Sequence, residues 1–226
     1  MHAHDTLNQL DELIESRSIL RHPFYIAWQN GDLTRAQLAT YARVYWPHVA
    51  AFPSYLEAAA ETTADPVAKA TLEDNLEDER SNPKPHPDLW LDFADSLGEQ
   101  RQAVIDTAVH AAAERMVDTF TRLAGSSTAA GVAALYAYEA QQPEVSSQKR
   151  DGLRAHYKID SERALAYFNV HAEADVAHSR GERDVLLGCL DNGADPATVL
   201  GAAREALDAY WGLLDGVCHE AGIATA

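Results

Sequence analysis

Cysteine is scarce in this chain: Cys189 and Cys218 are the only two among 226 residues, far apart and without Cys-x-x-Cys spacing. A disulfide framework is therefore not expected, and both thiols should pack reduced between helices. Basic charge is also scarce, with 18 Lys and Arg against 35 Asp and Glu for a formal net charge of −17. Such a surface repels nucleic acid and anionic membranes, so neither is expected as a main partner. No apolar run reaches membrane-spanning length, and the start "MHAHDTLNQLDELIES" lacks the charged-then-apolar order of a signal peptide. The expected setting is soluble and cytoplasmic. Alternating strands, internal repeats, low-complexity tracts and dividing linkers are absent as well. One domain over 1–226 is the expectation, large enough to bury a core without staples.

What is present is helical periodicity. A first helix is predicted at about 6–17, with Leu7, Leu10, Leu13 and Ile14 as its apolar stripe. A short one begins at Pro23 and ends near Gly31. The next covers about 34–63, opened by Thr34 with Gln37 three residues on, and Pro53 is expected to kink it. Further helices are predicted at about 66–80, 87–97, 100–124, 128–140, 143–156, 161–187 and 196–220, with Gly125, Pro143, Gly181 and Gly193 as punctuation. The fold class is all-α, a bundle whose facing helices can build an interior site.

One helix carries unusual chemistry. In "YFNVHAEADVAHSRG", His171, Asp175 and His178 stand at i, i+4 and i+7. At about 100° per residue they share one face, continued N-terminally by the apolar Phe168 and Ala164. Two imidazoles and a carboxylate on an inward face need a compensating cation, and they form half of a dimetal site if other helices supply more ligands. The alternative is a polar face with two incidental histidines.

Other helices offer such ligands. Ala68, Leu72, Leu76 and Glu79 share a stripe, whereas Glu73, Glu77 and Arg80 fall elsewhere. His86 follows across "RSNPKP", whose breakers can fold it back toward Glu79. Val132, Leu135, Tyr136 and Glu139 share a face, placing another carboxylate inward. Glu79, His86, Glu139, His171, Asp175 and His178 together suit two iron or manganese ions with open positions for oxygen. A closed zinc site would use four ligands, often with cysteine.

The segments "RHPFYIAWQNG", "FPSYL", "LEDERSNPKPHPDLW", "YAYEAQQPEVSSQKRDGL" and "HAEADVAHS" resemble the haem-oxygenase-like dimetal oxidases. The resemblance is greatest to the branch named for the chlamydial protein associating with death domains. It spans nearly the whole chain, and its motif E-x6-H…E…H-x3-D-x2-H lands on the same six residues. The implied fold is a compact seven-helix-type bundle, shared with thiaminase-like (TenA) and pyrroloquinoline-quinone-synthesis (PqqC) proteins that lack the full ligand set.

Members of this branch are p-aminobenzoate synthases that cut out one of their own tyrosines as the aromatic product, with a lysine as amino donor. The resemblance assigns these roles to Tyr25 and Lys149, and places Tyr41, Tyr138 and Tyr167 near the metals. It implies two metal ions (Fe/Fe or Mn/Fe), dioxygen as co-substrate, an external reductant, and a product that feeds folate biosynthesis. From the residues alone, Lys149 lies on the apolar side of its helix with Val145 and Leu153, where it is functional or snorkels to solvent. Tyr167 precedes His171 by one turn, while Tyr25 and Tyr41 look like ordinary core aromatics. Two other readings stay open: a dimetal oxidase that turns over an external amine, amino acid or fatty acid, and an interaction protein, for which no interface is encoded. The electron donor is unassigned, and a homodimer is the base expectation.

Overall fold

Capping residues and prolines divide the chain into helices in the computed structural model, which describes residues 2–224. α1 (Ala3–Ser16) is followed by a 3-10 turn at Ile19–Arg21, then α2 (Pro23–Asn30) and the long α3 (Arg35–Thr62). α4 (Pro66–Ser81), α5 (His86–Ser96), α6 (Arg101–Ile105) and α7 (Ala111–Ala124) come next. α8 (Thr128–Glu139), α9 (Gln142–Tyr157), α10 (Glu162–Asp191) and α11 (Pro196–Ala221) complete the bundle, and no strand occurs among the described residues.

The caps explain the boundaries. Thr34 Oγ1 accepts from the Gln37 amide at 3.2 Å, while the Thr34 amide donates to Gln37 Oε1 at 2.8 Å, so two otherwise unpaired donors are satisfied reciprocally. Asp65 caps α4 and Asp195 caps α11, each with a proline at the first turn. α3 runs on through both Pro47 and Pro53. It can do so because its apolar face, including Tyr41, Tyr45, His48, Phe52 and Tyr55, is buried along its length.

Two boundaries differ from the sequence expectation. The predicted helix at 100–124 is two helices, because the His110 side chain accepts from the Ala112 amide at 3.1 Å and starts α7 afresh. The short α6 packs instead on α3 and α5. α10 passes through Gly181 and ends at Asp191, beyond the expected end near 187. Gly181 is a contact residue: a Cβ there would lie 2.7 Å from Thr71 Cγ2, so its absence lets α4 approach α10 closely.

The core sits where α3, α4, α5, α8 and α10 meet. α8 is buried from Ala129 to Glu139 because α3, α7, α10 and α11 surround it. Cys218 is buried and Cys189 half-buried, both free. No described helix is long and apolar enough to cross a membrane.

Candidate metal centre

The six acidic and histidine residues converge from four helices. Glu79 lies in the last turn of α4, and His86 is the first residue of α5. The link between them folds back, as its breakers require, so His86 Nδ1 stands 2.8 Å from Glu79 Oε1. Glu139 is the last residue of α8, and His171, Asp175 and His178 lie along one face of α10.

They form two triads. Glu79, His86 and His171 offer ligand atoms within 4.8 Å of one another, and so do Glu139, Asp175 and His178. His171 Nε2 lies 3.5 Å from Glu79 Oε1, and His178 Nδ1 lies 3.3 Å from Asp175 and 4.0 Å from Glu139. The His86 and His171 rings are 4.7 Å apart.

Each imidazole is tied back by the nitrogen that does not face the centre. His86 Nε2 pairs with the Asn82 carbonyl at 3.0 Å, and His171 Nδ1 with the Tyr167 carbonyl at 2.7 Å. His178 Nε2 pairs with Asp78 Oδ2 at 3.1 Å. N–H donation to these oxygens fixes the tautomer that leaves the inner nitrogen's lone pair free for a metal. Although these atoms face one another, Glu79 Oε1, His86 Nδ1, both Asp175 oxygens and His178 Nδ1 are buried and make no well-aligned hydrogen bond among the described residues. Buried polar atoms are rarely left so, and this donor set of imidazoles and carboxylates fits iron or manganese. Replacing Asp78 by Ala should weaken metal binding by about 10–100-fold, since it frees the His178 ring. Competition with a chelator measures that loss.

The electrostatics agree. Burial would push the Glu79 carboxyl up, but His171 and His86 pull it down to about 2. Burial would lower His171 and His178, yet Asp175 with Glu79 raises the first and Asp175, Glu139 and Asp78 raise the second, each to about 9. Glu139 is pushed up by burial and by Asp175, although Asn75 Nδ2 donates to both its oxygens at 3.0 and 3.2 Å. The second triad carries more negative charge than its protein partners offset.

Beside the triads lies a cavity of about 10 Å³ lined by Val49, Phe52, Glu79, Tyr138, Glu139, Tyr167 and His171. The Tyr167 ring lies against His171, centroids 4.0 Å apart. Tyr138 joins a chain of phenols: its hydroxyl is 2.8 Å from that of Tyr45, which donates to Tyr210 at 3.1 Å. Tyr210 and Tyr41 each come within 3.4 Å of the Tyr25 hydroxyl. Lys149 Nζ donates to the Tyr41 hydroxyl at 2.8 Å and stands 4.9 Å from the centre of the Tyr25 ring.

The snorkelling alternative for Lys149 is overturned, because the residue is only 2% exposed. No carboxylate is paired with it among the described residues, and burial pushes its pKa well below the ordinary value. The interior therefore favours the neutral amine over the ammonium. Burial likewise holds the hydroxyls of Tyr25, Tyr41, Tyr45, Tyr138 and Tyr167 well above the ordinary tyrosine value, so all are neutral phenols.

Residues 39–211 match a sequence family described as iron-containing redox enzymes. The chain belongs to this family. The chain also has relatives that match it over nearly its whole length. A 4-aminobenzoate synthase of Chlamydia muridarum is 40% identical, covering 95% of this chain and 94% of its own. One of Nitrosomonas europaea is 38% identical, covering 94% and 90%. The fold is haem-oxygenase-like. A TenA homologue from Pseudomonas syringae superposes with a TM-score of 0.82 at 19% identity, covering 97% of this chain and 96% of that one. A protein from Nostoc punctiforme described as CADD-like and of unknown function gives 0.78 at 18%, covering 97% and 98%.

Several residues beyond the six surround the site, some on the same helix faces and some off them. Asp78 lies beside Glu79 rather than on its stripe, and Asn75 is four residues before it. Tyr45 and Tyr210 read as core aromatics; the latter is 185 positions from Tyr25 in sequence. Tyr136, expected on the Glu139 face, turns to α1, where its hydroxyl donates to Asp11 at 2.7 Å. His48 is fully buried against Tyr138, with ring centres 4.9 Å apart, and burial lowers it to about 3. Glu182 continues the α10 stripe one turn beyond His178 and is 1% exposed.

Proposed function

We propose that this protein is an oxygen-dependent dimetal oxidase that makes 4-aminobenzoate, a folate precursor, from its own Tyr25 with nitrogen from Lys149. Glu79, His86 and His171 would hold one ion, and Glu139, Asp175 and His178 the other. Two redox-active ions there, iron with iron or manganese with iron, would supply, with dioxygen and an external reductant, the oxidising power for the aromatic chemistry. The observation that carries the reading is the buried Lys149 amine held 4.9 Å from the centre of the buried Tyr25 ring.

The surrounding residues have distinct work. Tyr41 orients the amine, because its hydroxyl takes the Lys149 N–H at 2.8 Å while also reaching Tyr25. An amine that carries no proton keeps the lone pair that nitrogen transfer requires. Phe24, Trp28 and Phe168 enclose the pocket and exclude water. Tyr138 borders the cavity, and its hydroxyl links through Tyr45 and Tyr210 to that of Tyr25, so a proton can pass along neutral phenols. Tyr167 packs on His171 and holds its ring through the backbone carbonyl.

The product retains seven carbons of a tyrosine, the six of the ring and Cβ, which becomes the carboxylate. Release therefore breaks the Tyr25 Cα–Cβ bond, with dioxygen as the oxidant that takes Cβ to the carboxylate, and replaces the phenolic oxygen, lost as water, by the Lys149 nitrogen, whose bond to Cε must break. The competing reading, turnover of an external amine, amino acid or fatty acid, meets a steric objection. The cavity touching both triads is about 10 Å³, room for one water-sized guest.

Protein labelled in its tyrosine rings with carbon-13 and in its lysine side chains with nitrogen-15 tests the reading. It should yield doubly labelled 4-aminobenzoate in the presence of excess unlabelled free tyrosine and lysine. Unlabelled product would contradict the self-derived origin.

A further inference from the structure

The metal-binding face of α10 does not end at His178. Glu182 follows four residues later and eleven after His171, about 20° from it around the helix. It is 1% exposed, and neither carboxylate oxygen has a hydrogen-bond partner among the described residues. Its carboxyl lies against that of Glu139 and within electrostatic reach of Asp175. The arginines nearest in sequence do not answer this charge: Arg180 is exposed, and Arg183 pairs with Asp11 at 3.0 Å.

A third carboxylate in a buried cluster that already holds two is strongly unfavourable unless it shares a cation or a proton. The two triads are also chemically unequal. The first has one carboxylate and two imidazoles, while the second has two carboxylates and one imidazole. Oxygen-rich sites favour hard ions such as manganese(II), whereas imidazole-rich sites favour the later metals.

We propose that Glu182 is a seventh protein ligand, the third carboxylate of the Glu139–Asp175–His178 site, and that it makes this site the tighter of the two for manganese(II). The inference rests on the two-ion reading above. Next to it, Gly181 lets α4 approach α10: a Cβ there would lie 2.7 Å from Thr71 Cγ2.

Metal-stripped full-length protein, titrated anaerobically with manganese(II), tests this when free ion is followed by electron paramagnetic resonance. The wild type should bind two ions with unequal affinity. In E182Q the tighter affinity should fall by about 10–100-fold, the scale of losing a ligand-supporting group, while the weaker stays unchanged. Without metal, E182Q should melt no lower than the wild type, because a buried acid has become a neutral amide of equal size. Unchanged affinities at both sites would overturn the proposal, since the amide would then be reproducing a hydrogen bond from a protonated Glu182 to Glu139. Wild-type crystals soaked in manganese(II) give a second readout that does not depend on the variant folding. A Glu182 oxygen within about 2.0–2.3 Å of the ion supports ligation, and one beyond hydrogen-bond range overturns it. A wild type that takes fewer than two ions overturns the two-ion reading itself, and this inference with it.

Discussion

Tyr25→Phe protein is expected to load metal as the wild type does and to form no 4-aminobenzoate. The phenylalanine ring keeps the packing of Tyr25 against Phe24, whose ring centre lies 5.3 Å away. Only the hydroxyl is lost, with its two contacts of 3.4 Å to Tyr41 and Tyr210. Contacts of that length contribute little, so the variant should lose no more than about 1 kcal/mol of stability. A product loss far beyond the change in folding or metal content therefore reports chemistry at the ring. An oxidase that acts on an external substrate would retain most of its product. Chromatographic quantitation of 4-aminobenzoate, with metal analysis of the same samples, separates the outcomes.

Lys149→Met should stabilise the protein while abolishing product, and the stabilisation should depend on pH. In the folded chain burial lowers the Lys149 pKa well below its ordinary value of 10.5, so the unfolded chain binds a proton that the folded chain lacks. Stability conferred by the wild-type residue therefore rises with pH up to 10.5 and is lost progressively as pH falls toward the folded-state pKa. Methionine fills a similar volume and has no such dependence. The stability difference between variant and wild type should narrow by about 1.4 kcal/mol for each pH unit on approach to 10.5. Urea unfolding between neutral and alkaline pH measures it. A flat difference would mean that the amine stays charged in the interior and is unavailable for nitrogen transfer.

The helices were legible in the sequence because caps and prolines act locally. Thr34 with Gln37, Asp65 with Pro66 and Pro23 with Gly31 mark their boundaries by hydrogen bonds and φ preferences that need no tertiary partner. The start of α7 was not legible, because His110 is a rarer capping residue than serine or aspartate. Gly181 looks, in sequence, like punctuation within the helix, whereas in the structure it is the place where a neighbouring helix is admitted.

The triads were legible to different degrees. Helical spacing alone aligns His171, Asp175 and His178, and the apolar stripe of α4 carries Glu79 inward. Glu139 is a weaker case, since α8 is buried all round and its periodicity does not choose a face. The phenol chain could not be read at all. Tyr45, Tyr138 and Tyr210 meet through hydroxyls contributed by three helices, and only packing shows that these rings point their polar ends together.

Intact-mass spectrometry during a single exposure of metal-loaded, reduced protein to oxygen tests the central claim most directly, with product counted in the same sample. The account predicts at most one 4-aminobenzoate per chain, and a matching population of chains whose mass losses map to Tyr25 and Lys149. Many product molecules per chain, with the mass of every chain unchanged, would contradict it.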